Sequence, residues 1–179
     1  AGTKGSERDA KAAEISEKEG RTEIHPFGNF EVKAGQGTMG LEILEDQPDL
    51  NVVVVAIGGG GMISGIATAV KNIKPEIQVI GMEPAGASRY TCSREAGQPI
   101  KLDEVNTIAD GTRTDAAHPQ NFRIIEKYVD NLVTIEDDWI KKAMKAVVAN
   151  AKIVAEPSSV MGIGAALAGT LPVNREDKV

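Results

Sequence analysis

The chain has one cysteine, Cys92, which excludes an intrachain disulfide and a structural metal site built on cysteines. It also lacks any excess of basic charge. A net charge of -6 and a pI near 5.0 argue against non-specific nucleic-acid binding and against attachment to an anionic membrane surface. No apolar run approaches the ~20 residues needed to span a bilayer, and no signal-peptide pattern is present. A soluble protein of the reducing cytoplasm is therefore expected. Histidine is scarce too, and neither His25 nor His118 has a partner at a recognisable catalytic spacing. His25, held extended by Pro26, is expected to be a structural or loop residue, and His118, beside Pro119 in a polar stretch, to lie at the surface. What the chain does have is 179 residues with 41% hydrophobic content, enough to bury one core.

The organising stretch is residues 52–66, Val-Val-Val-Val-Ala-Ile-Gly-Gly-Gly-Gly-Met-Ile-Ser-Gly-Ile. Its first six residues are apolar, mostly β-branched and too few for a helix, which predicts a strand buried on both faces. After Gly61 the apolar positions Met62, Ile63, Ile66, Ala69, Val70 and Ile73 recur at helical spacing. Strand thus passes into helix through a loop with no side chains. Such a loop lets a ligand approach the backbone, and the free N–H groups and dipole of the helix N-terminus favour a phosphate. The alternative is a tight packing turn. Two other phosphate motifs fail on spacing. The dinucleotide fingerprint needs Gly or Ala where Met62, Ile63 or Ser64 stands, and the P-loop needs Lys and Ser or Thr where Ile66 and Ala67 stand.

Around this centre, a charged helix is predicted over residues 7–19 after a small polar leader, 1–6, with Gly20 as its stop. Residues 34–38, Ala-Gly-Gln-Gly-Thr, read as a second glycine-rich loop, with Thr38 capping a short helix that carries Met39, Ile43 and Leu44 and ends at Pro48. A buried strand is predicted over 77–82, so strand, helix and strand make a parallel-sheet unit. Glu83 follows at the carboxyl edge where open α/β sheets collect ligands, either capping nearby N–H groups or serving function. Further on come a helix over 88–95, a turn at 107–111, a helix containing Phe122 and Ile125, and a strand over 131–135. Asp137 or Asp138 is expected to cap the next helix, whose face of Lys141, Lys142 and Lys145 is solvated. Residues 152–159 form a short strand or loop before a small-residue helix over 159–168. The predicted fold is a doubly wound, mostly parallel α/β sheet, with a leading helix and crossover segment in residues 1–34 and a phosphate-binding α/β domain in residues 35–179.

Five ordered stretches carry a resemblance: Gly35-Gln-Gly-Thr-Met-Gly-Leu-Glu-Ile-Leu44, Gly58-Gly-Gly-Gly-Met-Ile-Ser-Gly-Ile66, Glu83-Pro-Ala-Gly-Ala87, Thr107-Ile-Ala-Asp-Gly111 and Glu156-Pro-Ser158. Together they resemble the threonine dehydratase and serine racemase family, pyridoxal-phosphate enzymes of fold type II. The resemblance implies that Gly58, Gly59, Gly60, Gly61 and the Met62 amide hold the cofactor phosphate, with Gly111, beside Asp110, and Glu156 near the cofactor. It implies elimination of water from L-threonine or L-serine to give a 2-oxo acid and ammonia, by a homo-oligomeric full-length enzyme that needs no nucleic acid or membrane. It also places a divalent cation at Glu83 and the Ala87 carbonyl in serine racemase. There the third ligand is Asp, whereas Arg89 stands here; a like charge disfavours the ion, and Arg89 is expected to pair with Glu83.

The family's Schiff-base lysine lies in a Ser-x-Lys segment, and none of Lys4, Lys11, Lys18 or Lys33 has that context. The serine that meets the cofactor's pyridine nitrogen would lie just beyond Val179. The expectation is thus a piece of a longer enzyme, with no catalytic residue of its own and no turnover alone, and with exposed sheet edge that favours association. The alternative readings are a serine racemase and a non-catalytic protein that binds a phosphate ligand or a partner.

Overall fold

The computed structural model describes residues 5–179, and side chains from residue 7 onward; Lys4 and residues 1–3 of the leader lie outside the described residues. Three parallel strands, β1 (Val52–Ala56), β2 (Gln78–Pro84) and β3 (Asn131–Ile135), form a sheet in the order β1-β2-β3. Val54 pairs with Ile80, and Ile80 with Asn131. Seven α-helices flank the sheet among the described residues: α1 (Gly5–Glu19), α2 (Phe30–Asp46), α3 (Gly61–Ile73), α4 (Arg89–Ala96), α5 (Pro119–Tyr128), α6 (Asp137–Ala151) and α7 (Met161–Ala168).

Alternation along the strands divides the core into two layers. Val53, Val55 and Val79 face one way and pack with Ile63, Ile66 and Val70 of α3 and Ile125 of α5. Val52, Ile80 and Met82 face the other way, onto Ile140 of α6 and Met161 and Ala165 of α7. No described side chain of α1 belongs to the buried core, as its thin apolar face suggests. Burial of β1 is less complete than predicted: Val54 and Ala56 are half-buried, because β1 is the edge of the sheet among the described residues. Its start is met by the C-terminal stretch, where Asn51 and Val52 donate to the Lys178 carbonyl at 3.0 and 3.1 Å.

The largest correction concerns residues 34–38, which are helix and not loop. They lie inside α2, so the expected boundary between residues 34 and 35 falls within that helix as well. The cap is Asn29, whose side chain accepts the Val32 N–H at 3.2 Å. Thr38 caps nothing; its hydroxyl donates to the Gly35 carbonyl at 2.9 Å within the helix. Glycine disfavours helix by about 1 kcal/mol per residue, so a tertiary contact has to offset Gly35, Gly37 and Gly40. That contact is the crossing with α3. A Cβ on Gly65 would lie 2.3 Å from the Lys33 carbonyl oxygen and 2.6 Å from the Gly37 nitrogen, and one on Gly40 would lie 3.1 Å from the Ile66 carbonyl oxygen. The two backbones touch where side chains would stand.

Smaller corrections follow the same logic of tertiary partners overriding local signals. Glu83 belongs to β2, opposite Thr134, rather than to the loop after it. Glu136 is the N-cap of α6, and Asp137 instead accepts from the Thr107 hydroxyl at 2.6 Å and the Ile108 N–H at 2.9 Å, fixing the 107–111 turn. Of the two readings of residues 152–159, strand or loop, the loop holds over 152–156, and a 3-10 turn, Pro157–Val160, leads into α7. Met62 and Ile73, counted on the apolar face of α3, are exposed at its two ends.

The crossing yields a test by thermal or urea unfolding of the full-length protein. Gly65→Ala should destabilise it by about 2 kcal/mol, because the new methyl meets two backbone atoms that no rotamer change can move. Gly35→Ala meets nothing within 4 Å and should be neutral or stabilising by up to ~1 kcal/mol. Equal effects of the two would remove the close-approach explanation.

Candidate functional site

Gly60 sits between β1 and α3 with φ at 82°, a left-handed conformation that glycine adopts without strain. The loop it belongs to is held by its carbonyls. Arg89 of α4 donates to the carbonyls of Ile57 and Gly58. The Gly59 carbonyl accepts from the Tyr90 hydroxyl and from Asn121 Nδ2, each at 2.8 Å, and the Gly60 carbonyl accepts the Ser64 N–H at 3.1 Å. In a trans peptide the N–H points opposite to the C=O. The carbonyls of Ile57, Gly58 and Gly59, drawn back toward α4 and α5, therefore turn the N–H groups of Gly58, Gly59 and Gly60 the other way, and the Gly60 carbonyl, committed to Ser64 in the helix, turns the Gly61 N–H out of its N-terminus. Among the described residues, no acceptor of the chain takes these N–H groups or that of Met62. Five donors converge at the positive end of a 13-residue helix.

These donors open onto a cleft of about 550 Å³ beside the edge of β1. Of the residues singled out in the sequence, Gly58, Gly59, Gly60, Gly61, Met62, Gly111 and Glu156 all line it. Gly58 and Gly111 are brought together: a Cβ on Gly58 would lie 3.0 Å from the Gly111 carbonyl oxygen, and one on Gly111 would lie 2.6 Å from Ser158 Oγ. Asp110 stays exposed and its carboxylate accepts the Gly111 N–H at 3.0 Å. Glu83 and Ala87 do not line the cleft; they lie behind the loop, both fully buried.

Several residues that build the site carry no short-range signal. Phe27 lies against the loop, its ring within 2.2 Å of where a Gly59 Cβ would be. Asn121 ties the two together, donating to the Phe27 carbonyl at 2.9 Å as well as to Gly59 across 62 residues of sequence. Ser158 closes the Glu156-Pro-Ser158 stretch that carries the resemblance, which singled out only Glu156. Tyr90 relays a contact, accepting the His118 N–H at 3.1 Å while donating to Gly59. Burial pushes the Tyr90 hydroxyl up to about 12, against the opposing pull of the His118 hydrogen bond, so it remains a donor at neutral pH.

The histidines are part of this support. His25 is structural, its Nδ1 accepting the Gly28 N–H at 2.9 Å. His118 is half-buried, where its polar neighbourhood suggested an exposed residue. It caps α5, its ring lies 5.6 Å from that of His25, and its Nδ1 is buried without a partner. Burial lowers its pKa, and the neighbouring His25 and Lys33 lower it further.

Residues 2–179 match the family model described as pyridoxal-phosphate dependent enzyme. The chain belongs to that family. It is 40% identical over 156 residues to an L-threonine ammonia-lyase of Thermotoga maritima, covering 87% of this chain and 39% of the relative. It is 39% identical over 163 residues to a serine racemase of Oryza sativa, covering 89% and 47%. The structure of maize serine racemase superposes with a TM-score of 0.90 at 35% identity, over 96% of this chain and 53% of that one. The chain thus spans about half the length of the relatives it matches. The sheet and flanking helices are those of a fold type II pyridoxal-phosphate enzyme. The loop fits the cofactor's phosphate: five N–H donors with no acceptor in the chain, four glycines that put no side chain of their own into the cleft, and a helix N-terminus behind them, with Phe27 lining the same cleft beside Gly59 and Gly61.

The lowered pKa of His118 sets a pH dependence. Unfolded, the imidazole titrates near its ordinary value of about 6.5; folded, it takes up its proton only at lower pH. The unfolded state binds more protons between these values, so this contribution to stability is present above about pH 6.5 and is lost as the pH falls toward the folded pKa. Urea unfolding from pH 8 to pH 5 should show this decline, and His118→Gln should flatten it. Parallel curves for the two proteins would show that His118 is not its source.

Proposed function

We propose that this chain carries the cofactor-phosphate site of a pyridoxal-phosphate-dependent ammonia-lyase that removes water from L-threonine or L-serine, giving a 2-oxo acid and ammonia. The observation that carries the reading is the orientation of the loop, with carbonyls drawn back by Arg89, Tyr90 and Asn121 and five N–H groups turned to the cleft. In this reading Gly58, Gly59, Gly60, Gly61 and Met62 hold the phosphate, and Gly111 and Glu156 flank the rest of the cofactor. When bound, the cofactor supplies an electron sink for charge that develops on the amino acid's α-carbon. The chain's own part is binding and orientation. Phe27 packs on the loop from one side, while Gly111 and Ser158 close on Gly58 from the other.

No lysine lines the cleft among the described residues. Lys33 is buried at the start of α2, its ammonium donating to the Gly28 carbonyl at 3.3 Å and to Gln120 at 3.2 Å. We therefore assign no catalytic residue within this chain and propose that it has no turnover by itself. A full-length, homo-oligomeric enzyme of the cytoplasm completes the reading. Among the described residues no helix is long and apolar enough to cross a membrane. Serine racemase is the second reading, favoured by the 39% identical relative of that name.

Full-length protein incubated with L-threonine and L-serine should release 2-oxo acid and ammonia, with little D-serine on chiral analysis. D-serine as the main product would put racemase first, and no product from either substrate would leave a binding protein. Sustained ammonia release by the 179-residue chain with added cofactor would refute its inactivity. The loop reading has a separate check in the affinity for pyridoxal phosphate. Asn121→Ala removes the amide shared by the Phe27 and Gly59 carbonyls, leaving Gly59 to Tyr90 alone without blocking the cleft, and should weaken binding about tenfold, a loss on the order of one buried hydrogen bond. Unchanged affinity would reduce the loop to a packing turn.

A further inference from the structure

Behind the phosphate loop lies a second site, and a residue of the chain already fills it. Arg89, at the start of α4, is 0% exposed. Its Nε donates to the Gly58 carbonyl at 3.1 Å, its Nη2 to the carbonyls of Gly58 and Ile57, and its Nη1 to the carbonyl of Ala87. Nη1 also stands 3.6 Å from Glu83 Oε1, an ion pair without a hydrogen bond, with both side chains fully buried. One positive charge is thus enclosed by three carbonyl oxygens and a carboxylate. Oxygen sets of this kind serve hard cations.

Two members of the set, Glu83 and the Ala87 carbonyl, are the positions at which the resemblance to serine racemase implied a divalent ion. Both are committed elsewhere. Glu83 Oε1 accepts the Tyr90 N–H at 2.9 Å, and Oε2 accepts the Thr91 N–H and hydroxyl at 2.8 Å each, so the carboxylate caps α4 from β2. The Ala87 carbonyl takes the guanidinium. Among the described residues, no three His, Cys, Asp or Glu side chains gather to hold an ion. The residues present do not fit a divalent cation, because a guanidinium occupies the centre of the cage and repels one.

We propose that Arg89 is the resident cation of this site. The guanidinium neutralises Glu83 and clips the carboxyl end of β1 to the end of β2, the task a bound ion would otherwise perform, and so sets the direction of the loop carbonyls. Being covalent, it cannot be removed by chelation or dilution. Burial lowers the Arg89 pKa and Glu83 raises it again, and a guanidinium keeps its charge across the working pH range. Arg89 is therefore a positioning residue. The protein needs no divalent cation for the stability of this region or for its loop geometry.

The test is a Mn²⁺ titration of the full-length protein, followed by electron paramagnetic resonance and by thermal unfolding. In the wild type, Mn²⁺ after chelator treatment should leave the unfolding temperature unchanged, and any bound Mn²⁺ should persist in Glu83→Gln because it lies elsewhere. Arg89→Asp supplies a carboxylate as a third ligand beside Glu83 and the Ala87 carbonyl. It should gain one saturable Mn²⁺ site and recover stability with the metal, whereas Arg89→Met should be destabilised and gain nothing from it. A wild-type Mn²⁺ site abolished by Glu83→Gln overturns the proposal, as does a folded Arg89→Asp protein that binds no additional Mn²⁺. Should Arg89→Asp not fold, the wild-type titration still decides. Cofactor affinity gives an independent reading: restored by Mn²⁺ in Arg89→Asp only, it supports a cation's role, and indifferent to Arg89→Met, it refutes one. These arms concern metal and loop geometry, so they can fail while ammonia-lyase activity is found, or hold while it is not.

Discussion

A buried guanidinium donating to the carbonyls of Ile57, Gly58 and Ala87 is the interaction on which the cleft depends. Removing such a charge from water costs several kcal/mol, and the cost is met only if its donors and its charge find partners. Arg89 finds both, in backbone oxygens and in Glu83. The consequence reaches beyond the ion pair. Each carbonyl it draws back fixes a peptide plane, and each plane fixes an N–H on the far side. Tyr90 and Asn121 extend the same operation to Gly59. The donors of the cleft are therefore oriented by side chains that never enter it.

A second constraint sets what faces those donors. The glycines of α2 and Gly65 of α3 let two helix backbones touch, and that contact fixes where the segment before α2 must run. It places Phe27 over Gly59 and brings the Phe27 carbonyl to Asn121, which also holds Gly59. Asn29, two residues later, caps α2 and commits the chain to the helix at that point. Helix crossing and loop geometry are thus one arrangement, joined through Asn121.

The parts legible in the sequence are those in which local pattern and tertiary role agree. The β-branched run of β1, the apolar period of α3, and β3 at residues 131–135 are of this kind, as is the glycine loop between strand and helix. The misreadings share one cause. Gly35, Gly37 and Gly40 signal a loop locally, and only the nearness of α3, some 28 residues further on, makes a helix of them. Asp137 has the chemistry of a cap but serves Thr107, and His118 sits in a polar stretch yet is half-buried against the rings of His25 and Phe27. Asn121 could not have been found from periodicity, because its two acceptors lie 94 and 62 residues away. Composition and period report faces and breaks; they do not report which carbonyl a distant amide will reach.

The acidity of the chain gives this arrangement its point. With a net charge of -6 this chain repels an anion at a distance, so a proposed phosphate site has to attract its ligand over a short range. Lysine side chains at the mouth of the cleft would do so, but the lining residues include none. Backbone dipoles do it instead: five N–H groups and the end of α3 act within the first turn, where solvent and salt screen them least. Arg89 reinforces them from behind. Its charge is buried, is not screened by water, and is joined through two carbonyls to the loop that presents the donors. Glu83 offsets that charge, yet it stands on the far side of the guanidinium from the cleft-lining loop, capping α4. The ion pair therefore leaves its positive member nearer to the loop. An acidic chain can in this way hold a dianion with neutral groups in contact and the cation that supports them out of reach of the solvent.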